Sequence, residues 1–242
     1  MTTLFISDLH LDPARPDIEA LFHRFLAGPA RQAEALYILG DLFETWAGDD
    51  IDGVRHAGTL AALRRLSAVT PVRVMVGNRD FLLGAGFEAA TGCRLLDDPQ
   101  LIDLDGVPTV LSHGDQLCTA DTDYQRFRRL VRSRWLQRVY RSLPTRTRAR
   151  LVGALRARTA ARTQRKPTQI MDVTPAAVAD LFRATGAQRL IHGHTHRPGV
   201  HALTVEGRAC ERIVLGDWYT QGSVLRCGAG QVELTRLPLA TA

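Results

Sequence analysis

At 242 residues, 45% hydrophobic and 23% charged, the chain is long enough to bury a large core and has the balance of a globular α/β protein, read here as one domain spanning 1–242. No apolar run approaches the ~20 residues of a membrane-spanning helix. No secretory leader pattern opens the chain, and Cys93, Cys118, Cys210 and Cys227 form no C-x-x-C pair, so a cytoplasmic protein with reduced cysteines and no zinc knuckle is expected.

The net charge of +6 is unevenly placed. Tyr124 to Met171 holds fourteen arginines and Lys166, the chain's only lysine, without one carboxylate; this run carries +15 and the remainder −9. Such a segment predicts a surface that meets an anion, whether phosphate, nucleic acid or lipid headgroup. A solvated helical face is the plainer alternative.

In chain order, the apolar run Leu4 to Ile6 predicts a strand, followed by Asp8 and His10 at the i, i+2 spacing that points two side chains the same way in an extended segment. A packing helix follows from Asp17 to Leu26, with Ile18, Leu21, Phe22 and Phe25 at helical spacing, ended by Gly28 and Pro29. The strand Ala35 to Leu39 then runs through Gly40 to Asp41, whose two oxygens suit it to bridge two metal ions. Asp49, Asp50 and Asp52 read as solvated loop charges. Val72 to Val76 delivers Gly77, Asn78 and Arg79: the Asn78 amide oxygen is a neutral hard ligand, and the Arg79 guanidinium can hold a phosphate oxygen. The strand through Val107 to Leu111 ends at His113.

In the basic segment, Phe127, Leu130, Val131, Trp135, Val139 and Leu143 recur at three- and four-residue spacing, predicting one amphipathic helix that stops at Pro144. A second carries Leu151, Val152 and Leu155. Together these form an insertion at 119–168, either a cap or a plain packing hairpin. Thr174 and Pro175 open a helix ending at Gly186. The short strand Arg189 to Ile191 then delivers His192-Gly193-His194-Thr195-His196, where His194 and His196 can reach one metal centre together. Closing strands follow at Val200 to Val205 and Arg212 to Leu215, with a last hairpin through Val224 and Val232.

Asp8-x-His10, Gly40-Asp41, Gly77-Asn78, His113 and Gly193-His194-Thr195-His196, in this order, resemble the calcineurin-like metallophosphoesterase superfamily. The resemblance implies a four-layer α/β/β/α sandwich, with a helical cap inserted. Carried over residue by residue, it implies one ion on Asp8, His10, Asp41 and His196 and a second on Asp41, Asn78, His113 and His194. Two ions roughly 3.5 to 4 Å apart lower the pKa of a shared water; a bridging hydroxide attacking the α-phosphorus is the expected nucleophile, with Asp41, Asn78, Arg79 and His113 as the catalytic group.

Many members of the superfamily follow the Asn with His, where this chain has Arg79 and Asp80. The runs Gly77-Asn78-Arg79-Asp80-Phe81, Gly40-Asp41-Leu42-Phe43-Glu44-Thr45-Trp46, Ser112-His113-Gly114-Asp115 and Ile170-Met171-Asp172-Val173 resemble the superfamily's lipid A biosynthetic branch. That resemblance implies hydrolysis of UDP-2,3-diacylglucosamine to UMP and 2,3-diacylglucosamine 1-phosphate. Manganese is the implied metal, ahead of Fe²⁺, Co²⁺ or Zn²⁺, which the donor types equally accept. It also implies a monomer at the anionic cytoplasmic face of the inner membrane, with no nucleic-acid partner. Substrate contacts fall on Asn78, Arg79, Asp121, Tyr124, Thr159, Thr163, Lys166 and His194, and acyl chains on a cleft of Phe127, Leu130, Val131, Trp135 and Val139. His192 is expected to support its neighbours, and His23 and His201 to lie at the surface or in packing. The rival readings are a nucleotide- or phosphodiester-cleaving relative, a nucleic-acid-binding module using the basic run, and a catalytically silent scaffold.

Overall fold

Alternation along the strands sorts side chains between two interfaces. In β1 (Thr3–Ile6), Leu4 and Ile6 face one way and Phe5 the other; β2 (Ala35–Leu39) divides Leu36 and Ile38 from Leu39, and β3 (Val72–Met75) divides Val72 and Val74 from Met75. The computed structural model describes residues 2–163 and 172–239, with side chains as far as Arg156 in the first stretch.

These three strands run parallel and continue into β4 (Arg94–Leu96); on the other side β1 pairs antiparallel with β10 (Gly222–Gly228), which pairs with β11 (Gln231–Leu237). The second sheet is β5 (Gln100–Leu104), β6 (Val107–Ser112), β7 (Arg189–His192), β9 (Arg208–Val214) and β8 (Gly199–Val205), in that spatial order. Its central β6, β7 and β9 are parallel and both edges antiparallel.

Three buried clusters mark the interfaces between layers. Leu4, Ile38 and Val74 pack under α1 (Pro16–Ala27), α3 (Ala57–Ser67) and α4 (Ala85–Thr91) through Phe22, Leu63 and Phe87. Phe5, Leu39 and Met75 meet Leu111, Ile191 and Ile213 between the sheets. Val110 and Leu190 pack on Val178 and Phe182 of α8 (Pro175–Thr185). The result is the expected α/β/β/α sandwich. Thr174 caps α8 as its sequence predicts, its side chain accepting from the Ala177 N–H, and Gly186 closes it in the left-handed region.

Two expectations change. The single amphipathic helix through Leu143 is two, α5 (Thr122–Val131) and α6 (Arg134–Ser142). Ser133 breaks it by turning extended and capping α6, while Arg132 Nη2 reaches out of the junction to the Gly77 carbonyl at 3.0 Å and to Asp115 at 3.3 Å. Nor are the three aspartates solvated loop charges: they open α2 (Asp49–Arg55). Asp49 accepts from Trp46 Nε1 and the Gly84 N–H, buried Asp52 accepts from the Ala47 N–H, and Asp50 pairs with Arg148 of α7 (Thr145–Thr163). The strands β4 and β5 and the helix α4 had no strong periodic signal.

Candidate metal centre

Parallel neighbours end at the same edge, and ligands of open α/β sheets collect beyond the carboxyl ends of their strands. Here β1, β2 and β3 from one sheet and β6 and β7 from the other deliver Asp8 and His10, Asp41, Asn78, His113, and His194 and His196. The backbone there is unusual. Asp8, His10, Asp41, His194 and His196 all have positive φ, between +49° and +68°. Among the described residues only Asp105, Glu206 and Ala229 share this without being glycine, and each precedes the glycine of a tight hairpin, where the left-handed region is the normal choice. At the site the same conformation costs roughly 1–2 kcal/mol per residue. It is held by bonds between loops: Asp8 N–H to the Gly40 carbonyl at 3.1 Å, His10 N–H to that of Asp41 at 2.9 Å, and Trp218 N–H to that of Asp8 at 3.1 Å. Asp8 and His10 therefore converge through two left-handed residues, and not through the extended segment their spacing suggested.

Two tight groups of donors result. Asp8, His10 and His196 form one, with His196 Nε2 3.3 Å from Asp8 Oδ1 and 3.4 Å from His10 Nε2. Asp8, Asp41 and His113 form the other. Asn78 Oδ1 stands 3.0 Å from His113 Nε2. Asp41 Oδ2 faces His10 Nε2 at 3.9 Å and Oδ1 faces His113 Nε2 at 3.7 Å, the bridging orientation. Asp8 also belongs to both groups, which the sequence reading did not anticipate. His194 stands beside His113, ring centroids 5.0 Å apart, and joins neither group.

The imidazoles are aimed from behind. His10 Nδ1 lies 2.7 Å from Glu44 Oε2, His196 Nδ1 3.5 Å from Asp217 Oδ2, and His113 Nδ1 donates to the Leu39 carbonyl at 3.0 Å. A proton held on each Nδ1 leaves the Nε2 lone pairs facing one another, the tautomer a metal-binding histidine needs. The carboxylates are set similarly: Asp8 Oδ2 accepts from Ser7 Oγ at 2.6 Å and the His194 N–H at 2.9 Å, and Asp41 Oδ1 from the Arg79 N–H at 2.8 Å. Asp80 is buried and ties two loops together; one oxygen accepts from the Gly77 N–H and the other from those of Leu42 and Phe43. Glu44, Asp80 and Asp217 were not among the site residues read from the sequence, although Glu44 and Asp80 lie inside the runs that carried the resemblance.

Divalent ions fit this donor set. Asp8 Oδ1 is buried with no hydrogen-bond donor. Opposed Nε2 lone pairs 3.4 Å apart repel unless a cation or proton lies between them. Glycine is required where the cradle is tightest: a Cβ on Gly77 would lie 2.0 Å from Asp41 Oδ1, and one on Gly193 2.3 Å from Asp8 Oδ2. Without ions, charge is balanced by protons. Burial opposes an imidazolium at His113, yet Asp41, Asp115 and Asp8 push it up to about 9. Burial and that neighbouring charge hold His194 down to about 4. Burial raises Asp8, but the adjacent His196, with charge from His113 and His10, outweighs it and leaves its carboxyl well below the usual carboxylate range.

The proposed substrate contacts have varied settings. Arg79 has its Nη1 3.9 Å from Glu44 Oε1 and a buried Nε without a partner. Tyr124 stacks on His194, ring centroids 6.4 Å apart, with its hydroxyl bonded to Asp115. Asp121 caps α5, accepting from the Tyr124 N–H. The side chains of Thr159 and Thr163, and all of Lys166, lie outside the described residues. Beside the site, an apolar cavity of about 290 Å³ opens between α6, α7 and the turn after Asp80, lined by Phe81, Leu82, Leu136, Tyr140, Val152 and Leu155 among others. Of the cleft residues read from the sequence only Val131 lines it; Leu130 of α5 and Trp135 and Val139 of α6 are 57%, 69% and 44% exposed. Away from the site, His23 Nε2 meets Thr59 Oγ1 at 3.0 Å between α1 and α3, and His201 is exposed. His192 is buried at the end of β7, with Nδ1 2.9 Å from the Gly193 carbonyl oxygen.

Sandwich, donor set and strand-end geometry agree with the family comparison: the calcineurin-like phosphoesterase family model matches residues 1–198, and the chain belongs to that family, whose members bind divalent metal and hydrolyse phosphoesters. Curated relatives narrow the comparison. The UDP-2,3-diacylglucosamine hydrolase of Azotobacter vinelandii is 50% identical, covering 99% of this chain and 100% of its own. The proteins of that name from Stenotrophomonas maltophilia and Aeromonas salmonicida are 49% and 48% identical, covering 98% and 99% of this chain and 99% and 94% of their own.

Proposed function

We propose that this chain hydrolyses the diphosphate of UDP-2,3-diacylglucosamine, releasing UMP and 2,3-diacylglucosamine 1-phosphate, with Mn²⁺ as its metal. The observation that carries this reading is the apolar cavity against Phe81 and Leu82, two and three residues along the chain from Arg79. A nucleotide alone has no use for such a cavity, whereas acyl chains need one. The relatives of the same length, at about half identity, support the same substrate.

Asp8, His10, Asp41 and His196 would hold one ion, and Asp41, Asn78, His113 and His194 the other. When bound, two divalent ions activate water and neutralise the phosphorus oxygens. Asp41 would be shared between them, because its two oxygens face different imidazoles. Arg79 brings a guanidinium to the diphosphate, and losing a contact of that kind costs roughly a hundredfold or more in rate. In the reaction the oxygen of water bonds to the α-phosphorus, the bond to the bridging oxygen breaks, and the acylated sugar 1-phosphate leaves with the electron pair. A phosphate leaves as a stable anion, so a histidine donor after Asn78 is not required.

The helices α5, α6 and α7 serve as the cap over the lipid half, with Asp121 and Tyr124 on its sugar and phosphate side, and the family resemblance adds Thr159, Thr163 and Lys166 as contacts to the same part of the substrate. Leu130, Trp135 and Val139, exposed among Arg129, Arg134 and Arg138, suit the interface of an anionic membrane. Each arginine near such a surface adds about 1 kcal/mol. No helix among the described residues is long and apolar enough to cross a membrane; the association proposed is peripheral, through these exposed side chains, by a monomer.

Mass spectrometry of products after incubating Mn²⁺-loaded protein with UDP-2,3-diacylglucosamine, beside Asp41→Ala, tests the proposal. UMP and the acylated sugar 1-phosphate should form with the intact protein alone. Cleavage of a dinucleoside polyphosphate or simple phosphodiester, with the lipid substrate left whole, would sink the lipid reading and keep the metal centre.

A further inference from the structure

Glu44 touches three parts of the fold at once. Its Oε2 lies 2.7 Å from Nδ1 of His10, on the loop after β1, and its Oε1 accepts from Nη2 of Arg156, in α7, at 2.5 Å. Arg79 Nη1 stands 3.9 Å from the same Oε1. Arg156 also donates to Thr45 Oγ1, and its Nη1 is 3.9 Å from Asp12 Oδ2, so one cap side chain engages two of the three ligand-bearing loops of the first sheet, those after β1 and β2. Glu44 and His10 are well shielded, at 16% and 3% side-chain exposure, so their contact is weakly screened.

We infer that Glu44 is a positioning residue that couples seating of the helical insertion to metal binding. Its carboxylate keeps Oε2 in close ionic contact with His10 while Oε1 is fixed by the Arg156 fork; without the fork it is free to turn, and the His10 ring loses its rear support. The coupling runs both ways, as linkage requires. Metal at His10 Nε2 draws electron density from the ring and makes the Nδ1–H a stronger donor. That strengthens the bond to Glu44 and fixes the carboxylate on which α7 is anchored.

This inference rests on the metal centre and not on the substrate, so its test uses none. Mn²⁺ is titrated into chelator-stripped full-length protein, binding is followed by calorimetry and by the electron paramagnetic resonance of free Mn²⁺, and hydrogen exchange of the α7 amides is measured with and without metal. Glu44→Gln should weaken Mn²⁺ binding about 10–100-fold, the usual effect of losing a partner behind a metal-binding histidine. Arg156→Met, which touches none of the ligands, should weaken it at least about fivefold, the lower end of ordinary coupling between sites. In the intact protein Mn²⁺ should slow exchange in α7, and Glu44→Gln should abolish the slowing. Arg148→Met is the control: Arg148 ties the first turn of α7 to Asp50, about two turns before Arg156 and away from the ligands, so it should speed exchange in that first turn alone, with the Arg156–Glu44 contact and Mn²⁺ affinity unchanged. Unchanged affinity in Arg156→Met overturns the inference, as does an equal loss in Arg148→Met, because the Glu44 contact would then carry no coupling of its own. Circular dichroism of each variant separates these outcomes from unfolding, and Arg156→Lys, keeping charge without the fork, should fall between intact protein and Arg156→Met.

Discussion

The Tyr124 hydroxyl donates to Asp115 Oδ2 at 2.5 Å, and this bond joins the first helix of the insertion to the loop that carries His113. The same oxygen receives Arg128 Nε at 2.8 Å and Arg132 Nη2 at 3.3 Å, so one buried carboxylate seats α5 and the α5–α6 junction. Asp115→Asn leaves only Asp98, 3.7 Å from Arg128, to balance two guanidinium groups. It should destabilise the protein by about 3–5 kcal/mol, the cost of breaking a buried ion pair. Tyr124→Phe removes one bond to a charged acceptor and should cost about 1.5–3 kcal/mol. Urea denaturation of both variants checks the order.

Asp80→Asn tests the staple between the Asp41 and Asn78 loops. The carboxylate accepts three backbone N–H groups, at 2.7, 2.8 and 3.2 Å, and an amide must turn its NH₂ toward some of them. A loss of about 1.5–3 kcal/mol is expected per bond to charge. Mn²⁺ affinity should fall as well, since Leu42 directly follows Asp41.

Two glycines should respond oppositely to alanine. At Gly77 a Cβ would meet Asp41 Oδ1 at 2.0 Å and Asp41 N at 2.4 Å, both inside the site. Displacement of Asp41 should cost about a hundredfold in activity, as ångström-scale misplacement does. Gly153, inside α7, has no described residue within 4 Å of such a Cβ beyond its chain neighbours and its own helix backbone. Gly153→Ala should stabilise by about 0.5–1 kcal/mol, from reduced backbone entropy in the unfolded chain. Thermal melts of the pair read both.

Metal and protons compete at His113. Its folded pKa, about 9, lies above its unfolded 6.5, so in the metal-free protein its stabilisation is fully present below pH 6.5 and is lost as pH rises through 9. An imidazolium has no lone pair to give, so Mn²⁺ binding should release a proton across that window and tighten by up to about tenfold per pH unit. Calorimetry in buffers of different ionisation enthalpy measures the release. Affinity independent of pH between 6.5 and 9 would rule out this competition.

The candidate donors and their strand-end placement were legible because each depends on short-range pattern, while the layer order came from the family resemblance that those motifs carry. An apolar run of four or five residues ending in Asp, Asn or His declares both a strand and what it delivers, and Thr174 with Pro175 declares a helix start. Which partner stands behind each donor was not legible, because those pairs are chosen through space: Arg156 reaches Glu44 across 112 positions, and Arg148 reaches Asp50 across 98. The same holds for the inserted helices. Apolar spacing identified Leu130, Trp135, Val139 and Val131 alike as one face, but only packing against Phe81 and Leu82 decided that Val131 and Leu136 turn inward while Trp135 stays outside. Periodicity is a property of one segment; burial depends on what the rest of the chain brings to meet it.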